Sequence, residues 1–172
     1  TEIKQITTEE GLWVAYESGL ESCVAFQHRI VQRFNLTCTE QEFKDAFNAL
    51  LLPIAAETSA YLSELSSLYP LYLLSNTSKI HSDVFLSSHY PNFNLFASFT
   101  HIHLSFEMGL VKPNVGIYQQ VVERNNLHNH HIVFFDDNEY NISAATQIGW
   151  EAVLIQPNTS LQQINQHIQS LC

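Results

Sequence analysis

The 172-residue chain predicts an α/β fold: a parallel sheet with flanking helices, preceded by a small helical segment. Three observations predict it. From residue 54 onward, short apolar runs alternate with helical patterns, the rhythm of strands joined by crossover helices. Residues 1–53 carry helical periodicity with no strand between the helices. The run Ile132-Val-Phe-Phe-Asp-Asp-Asn138 takes four apolar residues straight into two acids. A buried parallel strand reads this way when its carboxyl end opens toward a ligand. The expected division is a helical segment over 1–53 and an α/β core over 54–172.

In the first segment, Thr7-Thr-Glu-Glu10 reads as a capping box ahead of Leu12, Trp13, Val14 and Tyr16, and Gly19 interrupts the helix. Cys23, Phe26, Ile30, Val31 and Phe34 then share one helical face. Thr39-Glu-Gln-Glu42 is a second capping box, with Cys38 and Phe43 placed as a hydrophobic staple. Phe43, Ala46, Phe47 and Leu50 continue that helix toward Pro53. These helices are expected to form a small bundle of their own, with the aromatic residues as its core.

Residues Glu57 to Leu68 read as a helix with Leu62, Leu65 and Leu68 inward, broken by Pro70. Leu71-Tyr-Leu-Leu74 is a strand that ends at Ser75-Asn76-Thr77. After an aromatic-rich stretch come Ala97-Ser-Phe-Thr100 and Gly109-Leu-Val-Lys-Pro113. Pro113 suits the first position of a helix carrying Ile117, Tyr118, Val121 and Val122. Beyond the strand at 132–135, a helix runs from Asn138 to Ile148 with Gly149 as its cap. Ala152-Val-Leu-Ile155 is the next strand, and a polar helix follows at 159–171.

With 45% apolar and 14% charged residues the chain can bury a substantial core. Its net charge of −10 argues against nucleic-acid binding, which requires basic stripes that displace counterions. No run approaches the roughly 18 apolar residues of a membrane span, and the first ten residues lack the pattern of a signal peptide. Cys23, Cys38 and Cys172 show no metal spacing, as expected for reduced thiols of a cytoplasmic protein. His128, His130 and His131, and the alternating His101 and His103, show no zinc-site spacing and are expected to be solvated loop side chains. His81, just after the Ser-Asn-Thr turn, is placed to reach a substrate.

Three strand ends or loops carry chemistry. Ser75 supplies a hydroxyl and Asn76 an amide at one strand end. Lys112 supplies a cation just before a helix N-terminus, an anion-favouring place. Asp136 and Asp137 supply hard oxygen ligands at another strand end, suited to Mg²⁺. Singly, each has a plain alternative: a turn residue, a solvated lysine, two acids that end a strand and cap a helix. Together they suit a phosphoryl group whose oxygens the hydroxyl and amides hold, whose charge Lys112 offsets, and which a carboxylate-bound Mg²⁺ polarises.

In this order the set resembles the haloacid dehalogenase superfamily of hydrolases over about residues 10–155. Leu73-Leu-Ser-Asn-Thr77 is similar to its second motif and Gly109-Leu-Val-Lys-Pro113, approached through Ser105 and Glu107, to its third. Phe134-Phe-Asp-Asp-Asn-Glu-Tyr-Asn141, followed by Ala144, Ala145 and Gly149, is similar to its fourth. Tyr16-Glu-Ser-Gly19 and Phe47-Asn-Ala-Leu-Leu51 resemble helical cap segments of the subgroup holding sugar-phosphate phosphatases and the phosphatase domain of epoxide hydrolases. The resemblance implies a Rossmann-like parallel sheet, a lid-like cap that selects the leaving group, and a small phosphorylated substrate. Ser75 and Asn76 would bind the phosphoryl group, Lys112 would stabilise its charge, and Asp136 and Asp137 would bind Mg²⁺, with their division of labour open. Paired acids in the fourth motif favour phosphatase over dehalogenase chemistry. A phosphorelay receiver is disfavoured because its acids come first, not last.

One part of the family pattern is absent. Its first motif is a strand ending in an aspartate nucleophile, and residues 1–20 contain no such run; Glu2, Glu9, Glu10 and Glu17 sit in helical or polar contexts. In the family that strand lies centrally, between those ending at Ser75 and Asp136. The expectations are therefore a fragment whose upstream strand lies outside this numbering, a strand donated by residues 1–10 or a partner chain, or a catalytically dead binding or interaction module. In each case the 172 residues alone are expected to be inactive.

Overall fold

The computed structural model describes residues 11–171. The Thr7–Glu10 capping box, the proposed strand donor 1–10 and Cys172 lie outside them. The chain divides into two compact units between Val111 and Lys112, so residue 53 falls inside the first.

The first unit opens with α1 (Leu12–Glu17), α2 (Cys23–Arg33) and α3 (Glu40–Asn48). Ser22 caps α2 by accepting the Ala25 amide. Thr39 and Glu42 make the expected reciprocal capping box on α3. Phe26 sits at the centre of the aromatic core, stacked on Tyr16 at 4.0 Å and edge-on to Phe47 at 5.5 Å. Cys38 packs against this cluster with Phe43, as the staple requires. The bundle does not stand alone, however: Ile80, from α5 (Lys79–Phe85), belongs to the same buried cluster. Short helices leave one aromatic face open, and a fourth helix is needed to take it out of water. His81 of that helix stacks on Phe47 at 4.4 Å, and its Nε2–H donates to the Phe47 carbonyl at 3.1 Å. Burial lowers its pKa, against the raising effect of that hydrogen bond. His81 therefore serves the packing of α3 on α5.

Helix α3 stops at Asn48, and Leu50 is 65% exposed rather than a continuation of the apolar face. Helix α4 (Ala56–Ser66) likewise ends before Leu68, which is 68% exposed. There the Ser66 and Ser67 hydroxyls donate back to the Ser63 carbonyl, offering that carbonyl an alternative to helix continuation. Between these helices the chain is pinned from a later loop: the Tyr90 hydroxyl donates to the Leu52 carbonyl and Asn92 Nδ2 to that of Ile54.

Strand β1 (Leu71–Ser75) pairs in parallel with β2 (Phe99–Leu104), with a register shift after Leu71 and Ser75 opposite Leu104. A 3₁₀ turn over Phe93–Ser98 takes Ala97 and Ser98, so β2 starts later than the apolar pattern suggests. His101 and His103 consequently lie on a strand, not in a loop, and His103 is only 6% exposed. Their alternation was a period-2 signal interleaved with Ile102 and Leu104. The short α6 (Ser105–Met108) closes this unit's regular structure.

In the second unit, α7 (Val115–Asn125) is capped by Asn114, whose Oδ1 accepts the Gly116 amide, so Pro113 precedes the cap rather than opening the helix. Strand β3 (Val133–Asp136) pairs in parallel with β4 (Glu151–Leu154), from Val133 opposite Glu151 to Asp136 opposite Leu154. Between them α8 (Glu139–Gln147) is capped by Asn138 and ends at Gly149, with φ +87°, as expected. Helix α9 (Leu161–Gln169) starts from a Ser160–Gln163 capping box. Beneath β3, Tyr118, Phe134 and Trp150 meet edge to face at 5.4–5.8 Å.

Among the described residues the sheet is present as two parallel pairs, β1–β2 and β3–β4, and no described strand joins them. No described helix is long and apolar enough to cross a membrane.

Gly19 offers a direct check on the first unit. It has φ +70°, and a Cβ there would run into the Phe106 carbonyl oxygen. Gly19→Ala is expected to destabilise the chain by about 2–4 kcal/mol in urea unfolding, combining backbone strain with a backbone clash. Gly149→Ala, with φ +87° and open space around it, should cost only about 1–2 kcal/mol.

Candidate active site

Ser75 and Asp136, read from the sequence as strand-end residues, each close a strand in the structure. In the first unit, Ser75 is the last residue of β1 and Asn76 follows it, both half-buried. The loop they enter is fixed from the neighbouring strand. Because Ser75 lies opposite Leu104, the last residue of β2, the residue that opens α6 reaches the turn: the fully buried Ser105 hydroxyl accepts the Thr77 amide at 2.9 Å and donates to the Thr77 carbonyl at 3.1 Å. Thr77 and Ser78 are themselves buried, so the main chain after Ser75 is held from within. Sequence reading noted Ser105 only as an approach to Lys112; its role depends on the parallel register.

In the second unit, Lys112 and Asp136 come together. The Lys112 ammonium donates to Asp136 Oδ2 at 2.6 Å, with the two side chains 9% and 6% exposed. Lys112 Nζ also lies 5.5 Å from the centroid of the Phe134 ring. The other carboxylate oxygen, Oδ1, accepts the Asn138 amide and the Asn141 side-chain amide, each at 2.9 Å. Both oxygens are thus in use. Asp137, by contrast, is exposed at the start of the following loop.

Asn141 was visible only as part of a motif. It stands five residues after Asp136, where the first turn of α8 brings its side chain back to the strand tip. Tyr118 was expected as helix core, and it is fully buried. Its hydroxyl also donates to the Asn141 carbonyl at 3.0 Å. Burial, and then the Asp136 charge, push the Tyr118 phenol well up, so it remains a donor.

Burial alone would raise the Asp136 carboxyl. Hydrogen bonds from Lys112 and Asn141, the Lys112 charge and the Asn138 amide outweigh it and hold the carboxyl below its ordinary value. Chemically, the pair is a cation held in place beside an exposed acid. Magnesium takes oxygen ligands, often one or two carboxylates with the remainder from water or phosphate. The exposed Asp137 carboxylate fits that donor set. Asp136, expected as a second ligand, has its oxygens engaged by Lys112, Asn138 and Asn141 and adds its charge beside it. Among the described residues no group of three or more His, Cys, Asp or Glu side chains converges as a metal site.

The chain matches the haloacid dehalogenase-like hydrolase family profile over residues 4–155. A structure described as a predicted HAD-like family hydrolase from Porphyromonas gingivalis is 26% identical, with a TM-score of 0.87 over 98% of this chain and 84% of that one. A HAD family enzyme from Bacteroides thetaiotaomicron, in complex with magnesium and inorganic phosphate, is 25% identical, with a TM-score of 0.80 over 89% of this chain and 78% of its own. An aspartate-to-alanine mutant of that enzyme also carries magnesium and inorganic phosphate. An L-2-haloacid dehalogenase from Xanthobacter autotrophicus, with chloropropionic acid covalently bound, is 17% identical, with a TM-score of 0.62 over 96% of this chain and 68% of that one, a likeness of fold.

The Asp136 shift carries a sign. A carboxyl depressed in the folded state adds stability above its unfolded value, and that contribution is lost as pH falls through the folded value. Asp136→Asn leaves the buried ammonium without its counter-charge and is expected to cost about 3–5 kcal/mol at pH 7. The gap from the natural chain should narrow as pH falls below the ordinary carboxylate value toward the depressed value of folded Asp136, where that side chain also becomes neutral. The double change Asp136→Asn, Lys112→Met removes both charges and should recover much of the loss in urea titrations.

Proposed function

The chain belongs to the haloacid dehalogenase-like hydrolases, and we propose that it is the scaffold of a Mg²⁺-dependent phosphoric monoester hydrolase acting on a small phosphorylated metabolite. The buried Lys112–Asp136 pair at the tip of β3, with Asp137 exposed beside it, carries this reading. The magnesium and phosphate complexes of the Bacteroides enzyme support it.

In this reading Asp137 is the residue that would hold Mg²⁺. Asp136, with both oxygens committed within the protein, holds Lys112 in place and adds its charge to the same site. The chemistry such an ion would supply is polarisation of the phosphoryl oxygens and an offset to their negative charge. Lys112 compensates further charge as the phosphorus is attacked, in a place too buried for water to screen it. Within the first unit Ser105 keeps the Ser75–Asn76 loop rigid, and the family resemblance assigns that hydroxyl and amide to phosphoryl oxygens. Helices α1–α3 correspond to the cap segments that the family resemblance implies.

An aspartyl-phosphate route needs a nucleophilic carboxylate at the end of a strand, and no aspartate-ended apolar run stands among the first twenty residues. The 172-residue chain is therefore a magnesium and phosphate binder with negligible turnover.

Calorimetric titration of the 172-residue chain with Mg²⁺ and inorganic phosphate tests the binding. Mg²⁺ should bind, and Asp137→Asn should weaken it by about tenfold or more while changing stability by no more than about 0.5 kcal/mol, as befits an exposed side chain. Heat-free titrations of the folded protein would refute the metal site. Mg²⁺-dependent hydrolysis of an aryl phosphate by a chain of verified mass would refute its inactivity.

A further inference from the structure

We propose that Tyr118 is a positioning residue for the Lys112–Asp136 pair: its buried hydroxyl, by holding Asn141, fixes the carboxamide that orients the Asp136 carboxylate. This rests on the reading of that pair as the phosphoryl site.

Tyr118 touches both halves of the pair through one intermediary each. Its ring meets Phe134 edge to face at 5.6 Å, and the Lys112 ammonium sits 5.5 Å from the centroid of that same ring. Its hydroxyl donates to the Asn141 carbonyl at 3.0 Å, and Asn141 Nδ2 donates to Asp136 Oδ1 at 2.9 Å. Helix α7, which follows Lys112, thereby grips the first turn of α8, which follows Asp136.

The hydroxyl contact is not required by the backbone. Asn141 lies inside α8, where helix geometry already directs the amide four residues later at its carbonyl. The phenol takes the second lone pair, so it changes where the turn sits rather than whether it forms. Asn141 is itself 6% exposed, and its Oδ1 is buried without a hydrogen-bond partner, so the carboxamide's orientation rests on what its amide and its backbone hold. A few tenths of an ångström at Asn141 pass directly to Asp136 Oδ1, and through Oδ2 to Lys112 Nζ. Supporting hydrogen bonds of this kind govern how tightly a site binds its ion.

Tyr118→Phe keeps the ring and removes only the hydroxyl. In the ¹⁵N-labelled 172-residue chain, the Asn141 side-chain amide protons are expected to exchange slowly with solvent. In Tyr118→Phe they should exchange about tenfold faster or more, as a freed local group does, and Mg²⁺ affinity measured by calorimetry should fall by about tenfold. Trp150→Phe loosens the same aromatic contact but leaves the hydroxyl bond, and should lower stability while leaving both readouts unchanged. Unaltered Asn141 exchange in Tyr118→Phe, or equal changes in Trp150→Phe, would overturn the proposal. Should Tyr118→Phe fail to fold, the natural chain still decides: a slowly exchanging Tyr118 hydroxyl proton with a cross-peak to Asn141 is expected, and its absence counts against the role. A natural chain that binds no Mg²⁺ refutes the function of the site, while the Asn141 exchange judges Tyr118 separately.

Discussion

Burying the Lys112 ammonium against the Asp136 carboxylate is the constraint around which the second unit is arranged. Removing two charges from water costs several kcal/mol per ion, and attraction between them offsets this only when the remaining hydrogen-bonding capacity is filled. Here the filling comes from two places. The loop after β3 supplies the Asn138 amide and the first turn of α8 supplies Asn141. Phe134, on the strand that delivers Asp136, lies near the ammonium. The aromatic trio beneath the strand keeps these pieces in register, because dense packing leaves a tilted ring no room to relax.

The first unit meets a different demand. Its site residues are a turn, and a turn is positioned by whatever holds its main chain. A buried serine does this by satisfying both the amide and the carbonyl of Thr77, groups that would be costly to leave unpaired away from water. The aromatic core above is shared between the opening helices and α5 through Ile80 and His81. The helix that follows the Ser75 turn is therefore part of the same core as the opening helices, which ties their packing to the loop after β1.

Much of this was legible beforehand, for local reasons. The Thr39–Glu42 capping box, the cap of α8 at Gly149 and the strand running into Asp136 are near-neighbour effects with strong residue preferences. The errors fall where a helix ends or starts away from its apolar spacing and where strand pairing sets a face. Leu50 and Leu68 carry helical apolar spacing yet lie exposed. His103 looked like a polar loop residue and is buried on an edge of sheet, because pairing with β1 sets the face it occupies. Pro113 was a sound first helical residue until Asn114 took the capping position.

The sequence alone determined the chemistry available at each strand end: a hydroxyl and then an amide where β1 finishes, a lysine before α7, and two acids where β3 finishes, because strand and helix periodicities are written within a few residues. It could not distinguish the two acids, which are neighbours of identical type. Only the tertiary structure separated them, burying Asp136 on Lys112 and leaving Asp137 to solvent. It alone also recruited Ser105, Asn141 and Tyr118, since their partners lie 28, 5 and 23 residues away. Which side chain reaches a strand tip is set by parallel register and helix packing, and neither is a property of any short stretch of chain.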